Sequence, residues 1–334
     1  MAAGLPKRNY LVSGAAGFIG SRVTRFLLDA GHSVIGIDNL NDAYDVRVKH
    51  YRLGQLKVHP AFRFFQLDIS ERTFFSNPDL GLFDVPPFDA VINLAARAGV
   101  RQSVENPWVY IDANVTGTLN LLEFCRQRGV PKFVLASTSS IYGANAPLPT
   151  TEEADSSHPL QVYAASKKSA EALSFVYHHL YNLDVTVFRY FTVYGPAGRP
   201  DMSMFRFTQW ISEGRPLRLN GDGEQSRGFT YVDDIAHGTI LGLKPLGYEI
   251  INLGGHQTIT MNGLIRMLEE RIGKRAEIIH HPFDPADMVA NWADIGKANR
   301  LLDWQPVVSL EQGVSDLVAW YQAERGWASQ VKTD

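Results

Sequence analysis

Tyr163 and Lys167 stand four residues apart in the run Tyr163-Ala164-Ala165-Ser166-Lys167. On a helix this spacing puts both side chains on one face. A cation beside a phenol favours the phenolate and lowers its pKa from about 10 toward neutrality. Tyr163 could then act as a general base on a sugar or alcohol hydroxyl. Alone, the pattern also describes two surface residues of an ordinary helix. Its chemical meaning comes from far upstream, where Tyr10-Leu11-Val12-Ser13 runs directly into Gly14-Ala15-Ala16-Gly17-Phe18-Ile19-Gly20. A strand, three glycines at this spacing and then a helix form a cradle for a dinucleotide pyrophosphate. The glycines permit a tight turn, a close backbone approach and close helix packing. The helix N-terminus offers unpaired N–H groups and positive potential to the phosphates. Gly14, Gly17, Phe18, Ile19 and Gly20 are therefore expected at the cofactor.

Asp38 ends the second expected strand, where a carboxylate would accept both ribose hydroxyls of the adenosine half. A 2′-phosphate would meet like charge there, so NAD is expected and not NADP. Asn39 adjoins it, and the Asp38-Asn39 pair could also cap a turn. Asp68 and Ile69 follow the third strand and are expected at the adenine rim, with a helix N-cap before Glu71 as the plain alternative.

These residues need a scaffold, and the chain is long enough to supply one. It has 334 residues, 45% hydrophobic and 20% charged, with a formal net charge of −3. That charge gives no drive toward nucleic acid or anionic membranes, so neither is an expected partner. Cys125 is the only cysteine, which suits a reducing, cytoplasmic setting. No run of about 18 apolar residues could span a membrane, and the first residues do not read as a signal peptide. The adjacent pairs His178-His179 and His280-His281 point in divergent directions, so no metal site is expected.

The first half alternates short β-branched runs with amphipathic stretches. Strands are expected at 33–37, 62–67, 90–94, 132–137 and 185–190, and helices at 18–30, 46–55, 106–128 and 160–181. Such alternation means a parallel sheet covered on both faces. Gly195-Pro196-Ala197-Gly198-Arg199-Pro200-Asp201 is a loop of breakers. Beyond it, a strand at 227–232, a helix opening at Asp233-Asp234 as its N-cap, and a strand at 250–253 are expected. Helical patterns follow at 261–270 and 310–322. The expected division is a dinucleotide-binding domain over 1–195, with 229–255 returning to it, and a smaller lobe from 196–228 and 256–334.

With these motifs in order, the chain resembles, over nearly its full length, the extended branch of the short-chain dehydrogenase/reductase superfamily, specifically its nucleotide-sugar epimerases. The resemblance implies an α/β, Rossmann-type doubly wound parallel sheet with a smaller C-terminal α/β substrate lobe. Aligning Ser137-Thr138-Ser139-Ser140-Ile141-Tyr142-Gly143 on its Tyr-Gly gives Thr138 the role of hydrogen-bonding the reacting oxygen, beside Tyr163 and Lys167. Lys167 would also hold the nicotinamide ribose. Asn93-Leu94-Ala95-Ala96 resembles the loop under the nicotinamide, which puts Leu94, Ala95 and Ala96 at the cofactor. Asn93 replaces a usual His, with little effect expected.

The family's dehydratases carry an Asp-Glu pair where this chain has Ser139 and Ser140, and its decarboxylases generally place a Glu in this loop. The resemblance therefore implies reversible oxidation at one carbon: Tyr163 takes the hydroxyl proton, NAD takes the hydride, the keto sugar turns over and hydride returns to the other face. Asp38-Asn39-Leu40-Asn41-Asp42, the 96–101 segment and Arg189-Tyr190-Phe191-Thr192-Val193-Tyr194-Gly195-Pro196 with its Gly198-Arg199-Pro200-Asp201-Met202 continuation are most similar to UDP-glucuronate 4-epimerases. That implies Tyr190 at NAD and a UDP-uronate as substrate, with a neutral UDP-sugar as the first alternative and a UDP-glucuronate decarboxylase or a non-catalytic NAD sensor as remoter ones. Oxidation at C4 of a uronate makes a β-keto acid that loses CO2 when the breaking bond aligns with the carbonyl. Thr138, Ser139, Ser140 and Thr192 are expected to hold the carboxylate out of that alignment, although they could simply cap the strand end.

Arg227 matches the family's pyrophosphate-binding arginine, with Arg199 and Gln225 as further UDP contacts. Gly228 stands where Asp is usual, which would remove a brace for Arg227. Asp287 is assigned to the nucleoside side, with Asn291 replacing a commoner Thr. As in the family, the helices over 106–128 and 160–181 would pair across a homodimer.

Overall fold

The computed structural model describes residues 7–72, 86–255, 257–283 and 289–333. The alternating pattern becomes β1 (Asn9–Ser13), α1 (Phe18–Asp29), β2 (Ser33–Asp38), α2 (Val46–Lys57), β3 (Phe62–Gln66) and β4 (Ala90–Asn93). Next come α3 (Gln102–Glu105), α4 (Trp108–Tyr110), a π-helical segment Ile111–Thr116 and α5 (Gly117–Arg128). β5 (Lys132–Thr138) leads through a 3₁₀ turn at Ser139–Tyr142 to α6 (Val162–Tyr181) and β6 (Asp184–Tyr190). The later chain supplies β7 (Thr192–Tyr194), α7 (Ser203–Glu213), β8 (Leu217–Asn220), β9 (Ser226–Tyr231), α8 (Val232–Leu241) and β10 (Tyr248–Leu253). It ends with β11 (Thr258–Thr260), α9 (Met261–Ile272), β12 (Ile278–His281), β13 (Ala290–Asn291), α10 (Gly296–Leu302), α11 (Leu310–Ala323) and α12 (Arg325–Ala328).

Among the described residues, seven strands form one sheet in the order β10-β6-β5-β4-β1-β2-β3. All its pairings are parallel. Successive residues of β5 serve opposite faces: Phe133 and Leu135 enter one core cluster, Val134 and Ala136 the other. Both faces are thus apolar, as a helix-covered parallel sheet requires. Each large side chain so buried contributes about 1.5–3 kcal/mol. The chain reverses direction across the sheet between β1 and β4, so a crevice opens beyond the C-terminal ends of the strands. A second, smaller assembly joins β11, β9 and β13, with β7 beside β9, while β12 pairs with β8. Its core comes from α7, α9 and α11, through residues such as Trp210, Leu264 and Leu317.

Three points go beyond the expected elements. The helix expected over 106–128 runs without interruption from Trp108 to Arg128 but is irregular. Its regular part is α5, and the π-helical segment stands where the Thr118 hydroxyl donates back to the Asn114 carbonyl at 2.7 Å. Asp233 and Asp234 lie inside the first turn of α8, whose N-cap is Tyr231, so neither caps it. Asp233 instead takes a bidentate bond from Arg22, and Asp234 accepts the N–H groups of Val307 and Val308. α7 has no counterpart among the expected elements. Its polar Gln209 turns inward and donates to the carbonyls of Ala328 and Val331.

Candidate functional site

The glycine turn sits at the end of β1. Gly14 has φ +72°, Gly17 donates its N–H to the Gly14 carbonyl at 2.8 Å, and α1 begins at once without a side-chain cap. A Cβ on Gly14 would lie 2.7 Å from the backbone of Leu94 and Ala95, and one on Gly20 2.0 Å from Gly14 O. Three backbone segments therefore converge as closely as glycine allows, next to uncapped helix N–H groups. This is a cradle of the kind a pyrophosphate fits.

The cradle is one end of a cleft of about 920 Å³ running along the C-terminal edge of the sheet. Gly14, Gly17, Phe18, Ile19 and Gly20 line it. Asp38 and Asn39 line it at the end of β2, Asp68 and Ile69 after β3, and Leu94, Ala95 and Ala96 after β4. Thr138, Ser139 and Ser140 face it from the end of β5, Tyr163 and Lys167 from α6, and Tyr190 and Thr192 from the end of β6 and from β7. Arg199, Gln225 and Arg227 complete the far wall. One cleft thus gathers every expected site residue except Asp287, which lies outside the described residues.

Asp38 accepts the N–H of Leu40 at 2.9 Å and that of Ala16 at 3.3 Å, tying the end of β2 to the glycine turn. Asp68 takes the Asn39 amide at 2.8 Å and the Ser70 hydroxyl at 2.7 Å. Although burial opposes its charge, these bonds hold its carboxyl below the usual range. Both carboxylates thus serve local turns and also face the cleft. Lys49, on the inner face of α2, lies 3.6 Å from Asp38 and donates to Asn41 at 3.0 Å. Lys49 is absent from the sequence-based candidates. Its signal would have been a lysine three residues before Arg52 on the helix that follows Asp38.

Tyr163 and Lys167 share the inner face of α6. Burial holds the phenol above its ordinary value, with partial relief from a Thr138 hydrogen bond and the Arg199 charge. Burial also pushes the Lys167 ammonium down to about 8, against the attraction of Glu171. The expectation that Lys167 drives the phenol toward phenolate is therefore corrected. Desolvation of both groups outweighs their proximity, and the cation that eases the phenol is Arg199. Glu171 is itself locked by a bidentate bond from Arg189 at 2.9 and 3.0 Å and by the Ser137 hydroxyl at 2.6 Å. That buried lock fixes α6 against β5 and β6.

Asn114 is the clearest omission of the sequence reading. The π-helical segment turns it inward, where its amide accepts the Arg97 N–H at 2.8 Å. The same amide donates to the Arg97 carbonyl at 3.0 Å and to the Ser166 hydroxyl at 2.9 Å. Ser166 in turn donates to the Tyr163 carbonyl at 2.8 Å. Asn114 thus joins the loop after β4 to the helix bearing Tyr163. Asn93 accepts from Ser13 and donates to Thr118, which occupies its side chain within the core.

The Thr138 hydroxyl accepts the Ser140 N–H at 3.1 Å and donates to the Ser140 hydroxyl at 3.2 Å, while Ser139 accepts from Asn291 at 3.1 Å. Asn291 therefore reaches this cluster from β13. Arg199 makes a bidentate pair with Asp201 at 2.5 and 3.1 Å. Arg227 donates to the carbonyls of Ser226 and Val289. Gly228 is more than a lost brace. A Cβ there would stand 2.4 Å from Gly255 O and 2.8 Å from Trp292 Cβ, so the close approach of β9 to the 254–255 turn requires glycine.

A family model described as the NAD dependent epimerase/dehydratase family matches residues 10–254. A UDP-glucuronate 4-epimerase of Thermodesulfobacterium geofontis is 56% identical over 312 residues, covering 93% of this chain and 95% of its own. The solved structure of a UDP-glucuronic acid 4-epimerase from Bacillus cereus, in complex with UDP-glucuronic acid and NAD, is 36% identical with a TM-score of 0.86, over 95% of this chain and 99% of that one. A UDP-glucose 4-epimerase from Thermotoga maritima, solved with UDP-glucose, is 32% identical with a TM-score of 0.86 over the same shares.

Proposed function

The chain belongs to the NAD dependent epimerase/dehydratase family, and from that premise we propose that it inverts C4 of UDP-glucuronate to give UDP-galacturonate, through a transient 4-keto sugar, with a tightly held NAD. The observation that carries this reading is the company Tyr163 keeps. Thr138 and Lys167 share its cleft with Ser139 and Ser140, where elimination of a hydroxyl would need carboxylates. The 56% identity to a UDP-glucuronate 4-epimerase supports the choice of sugar acid.

In this reading the glycine turn and the start of α1 hold the pyrophosphate, and Asp38 with Asn39 holds the adenosine ribose. Asp68 and Ile69 border the adenine, while Leu94, Ala95, Ala96 and Tyr190 shape the nicotinamide pocket. When bound, the nicotinamide accepts a hydride from C4 and returns it to the opposite face of the ring. Tyr163 removes the C4 hydroxyl proton and gives it back, Thr138 orients that oxygen, and Lys167 holds the adjoining ribose. Arg227, Gln225 and Arg199 bind the nucleoside diphosphate and its sugar, with Asp287 on the nucleoside side. Ser139, Ser140 and Thr192 hold the uronate carboxylate out of line with the C4 carbonyl and so suppress loss of CO2.

NMR of the purified protein with UDP-glucuronate and no added NAD tests the reading directly. The expected result is UDP-galacturonate without CO2. A UDP-pentose would overturn carboxylate protection by the serines. An inert UDP-glucuronate beside a converted UDP-galactose would replace the uronate with the neutral sugar.

We also infer a homodimer. Trp108 on α4 is 75% exposed, and Leu180 and Phe175 on α6 are 59% and 50% exposed, so the helical stretches expected to pair both present large apolar side chains to the surface. Sedimentation should give twice the chain mass, and Trp108→Glu with Leu180→Glu should give monomers. A monomeric wild type would end this proposal. Among the described residues no helix is long and apolar enough to cross a membrane. Cys125, the only cysteine, is buried and unpaired, which supports a reducing, cytoplasmic setting, and the formal net charge of −3 gives no drive toward nucleic acid.

A further inference from the structure

Arg52 lies outside the cleft lining, yet it is one of the most heavily bonded side chains beside it. It sits on the inner face of α2 with 4% of its surface exposed. Its guanidinium donates twice to the Ala197 carbonyl, at 2.6 and 2.9 Å, and once to the Gly198 carbonyl at 2.9 Å. Its remaining nitrogen reaches the Tyr44 hydroxyl at 2.7 Å and the Ala16 carbonyl at 3.3 Å. The rings of Phe18 and Tyr44 each lie 5.6 Å from its central carbon. Among the described residues every acceptor is an uncharged oxygen. A buried cation held without a carboxylate is costly to desolvate, so its place in the fold calls for a reason beyond stability.

The reason lies in what the acceptors join. Ala16 belongs to the glycine turn, and Ala197 and Gly198 immediately precede Arg199. Ala197 has φ +52°, a left-handed conformation that opposes its Cβ. The Arg199 side chain is aimed by Asp201, but the left-handed backbone at Ala197 that leads into it has to be held by something else. Arg52 supplies a three-bond hold on the two preceding carbonyls and ties them to the cofactor cradle. We propose that Arg52 is a positioning residue for Arg199: its clasp on Ala197 and Gly198 fixes where the Arg199 guanidinium enters the cleft, and so sets affinity for the UDP-sugar. The proposal rests on the reading above, in which Arg199 meets that ligand.

A double-mutant cycle tests it, with UDP-glucuronate binding measured by calorimetry in a Tyr163→Phe background so that no turnover intervenes. Arg52→Met is expected to weaken binding about tenfold, a difference well within reach of the method. Bound NAD and circular dichroism should stay at the parental level. Arg52→Lys should restore affinity only in part, because one ammonium can reach the Ala197 and Gly198 carbonyls but cannot also keep the Tyr44 and Ala16 contacts made by the opposite guanidinium nitrogen. Arg199→Met should weaken binding too, and Arg52→Met/Arg199→Met should be no weaker than Arg199→Met alone. Multiplying effects, or full affinity in Arg52→Met, would overturn the clasp. If Arg52→Met does not fold, Arg52→Gln is read by the same criteria. A parent that binds UDP-galactose but not UDP-glucuronate would instead count against the uronate reading, and the cycle is then run with UDP-galactose.

Discussion

Replacing Tyr163 with Phe is expected to cut C4 epimerisation by about 10²–10⁴-fold while leaving fold and bound NAD intact. The substitution removes one oxygen and nothing else. The ring keeps its buried place and its edge-to-face contact with Tyr110, at 6.1 Å between centroids. What is lost is the group able to take the hydroxyl proton as hydride leaves C4. Among the described residues, Thr138 is hydrogen-bonded to the phenol and to Ser140, but a threonine hydroxyl is far too weak a base to substitute. Turnover measured by NMR, beside cofactor content measured after denaturation, separates the two quantities. A Tyr163→Phe enzyme that keeps a tenth or more of wild-type turnover, about 1.4 kcal/mol of barrier, would show that proton transfer is done elsewhere.

Gly20→Ala is expected to abolish cofactor retention. The added methyl would stand 2.0 Å from the Gly14 oxygen, 2.8 Å from its carbonyl carbon and 3.3 Å from Ala15 Cα. All three are backbone atoms, so no side chain can swing aside. Gly14 cannot retreat either, since its own Cβ position lies 2.7 Å from Leu94 and Ala95. The turn must open, at a cost of about 1–3 kcal/mol or more, and the N–H groups at the start of α1 then no longer converge on one phosphate. The protein should purify without NAD and melt at lower temperature. Gly54→Ala makes the same chemical change on an exposed face of α2, where nothing lies within 4 Å of the new methyl. It should leave NAD bound and raise helix stability by up to about 1 kcal/mol. Full NAD occupancy in Gly20→Ala would mean the turn is looser than its contacts imply.

Much of this was legible in the chain itself. A strand, a glycine triplet and a helix interact over about ten residues, and Tyr163 and Lys167 over five, so fixed backbone geometry dictates their relation before any tertiary contact forms. The alternation of strand and helix dictates a covered parallel sheet for the same reason. Less legible were the residues that hold these in place. Asn114 depends on one π-helical segment, and nothing in Ile111-Asp112-Ala113-Asn114-Val115-Thr116 distinguishes it from a regular helix. Gly228 reads as a missing carboxylate until the 254–255 turn is seen lying against it. Nothing in the sequence marks Arg52 on its polar helix, because its carbonyl acceptors lie 36, 145 and 146 residues away.

The electrostatics of the site followed the same division. Sequence spacing placed a cation near a phenol, but only burial could decide that both would be pushed toward their neutral forms. Desolvation depends on everything packed around a group, most of it distant in the chain. The sequence by itself determined the sheet, the phosphate cradle and the pairing of Tyr163 with Lys167, since each is a short-range consequence of helix and strand periodicity. Tertiary structure alone decided which way burial shifts Tyr163 and Lys167 and what holds the backbone of Ala197, Gly198 and Arg97, because those depend on contacts that exist only once separate elements close around a common space.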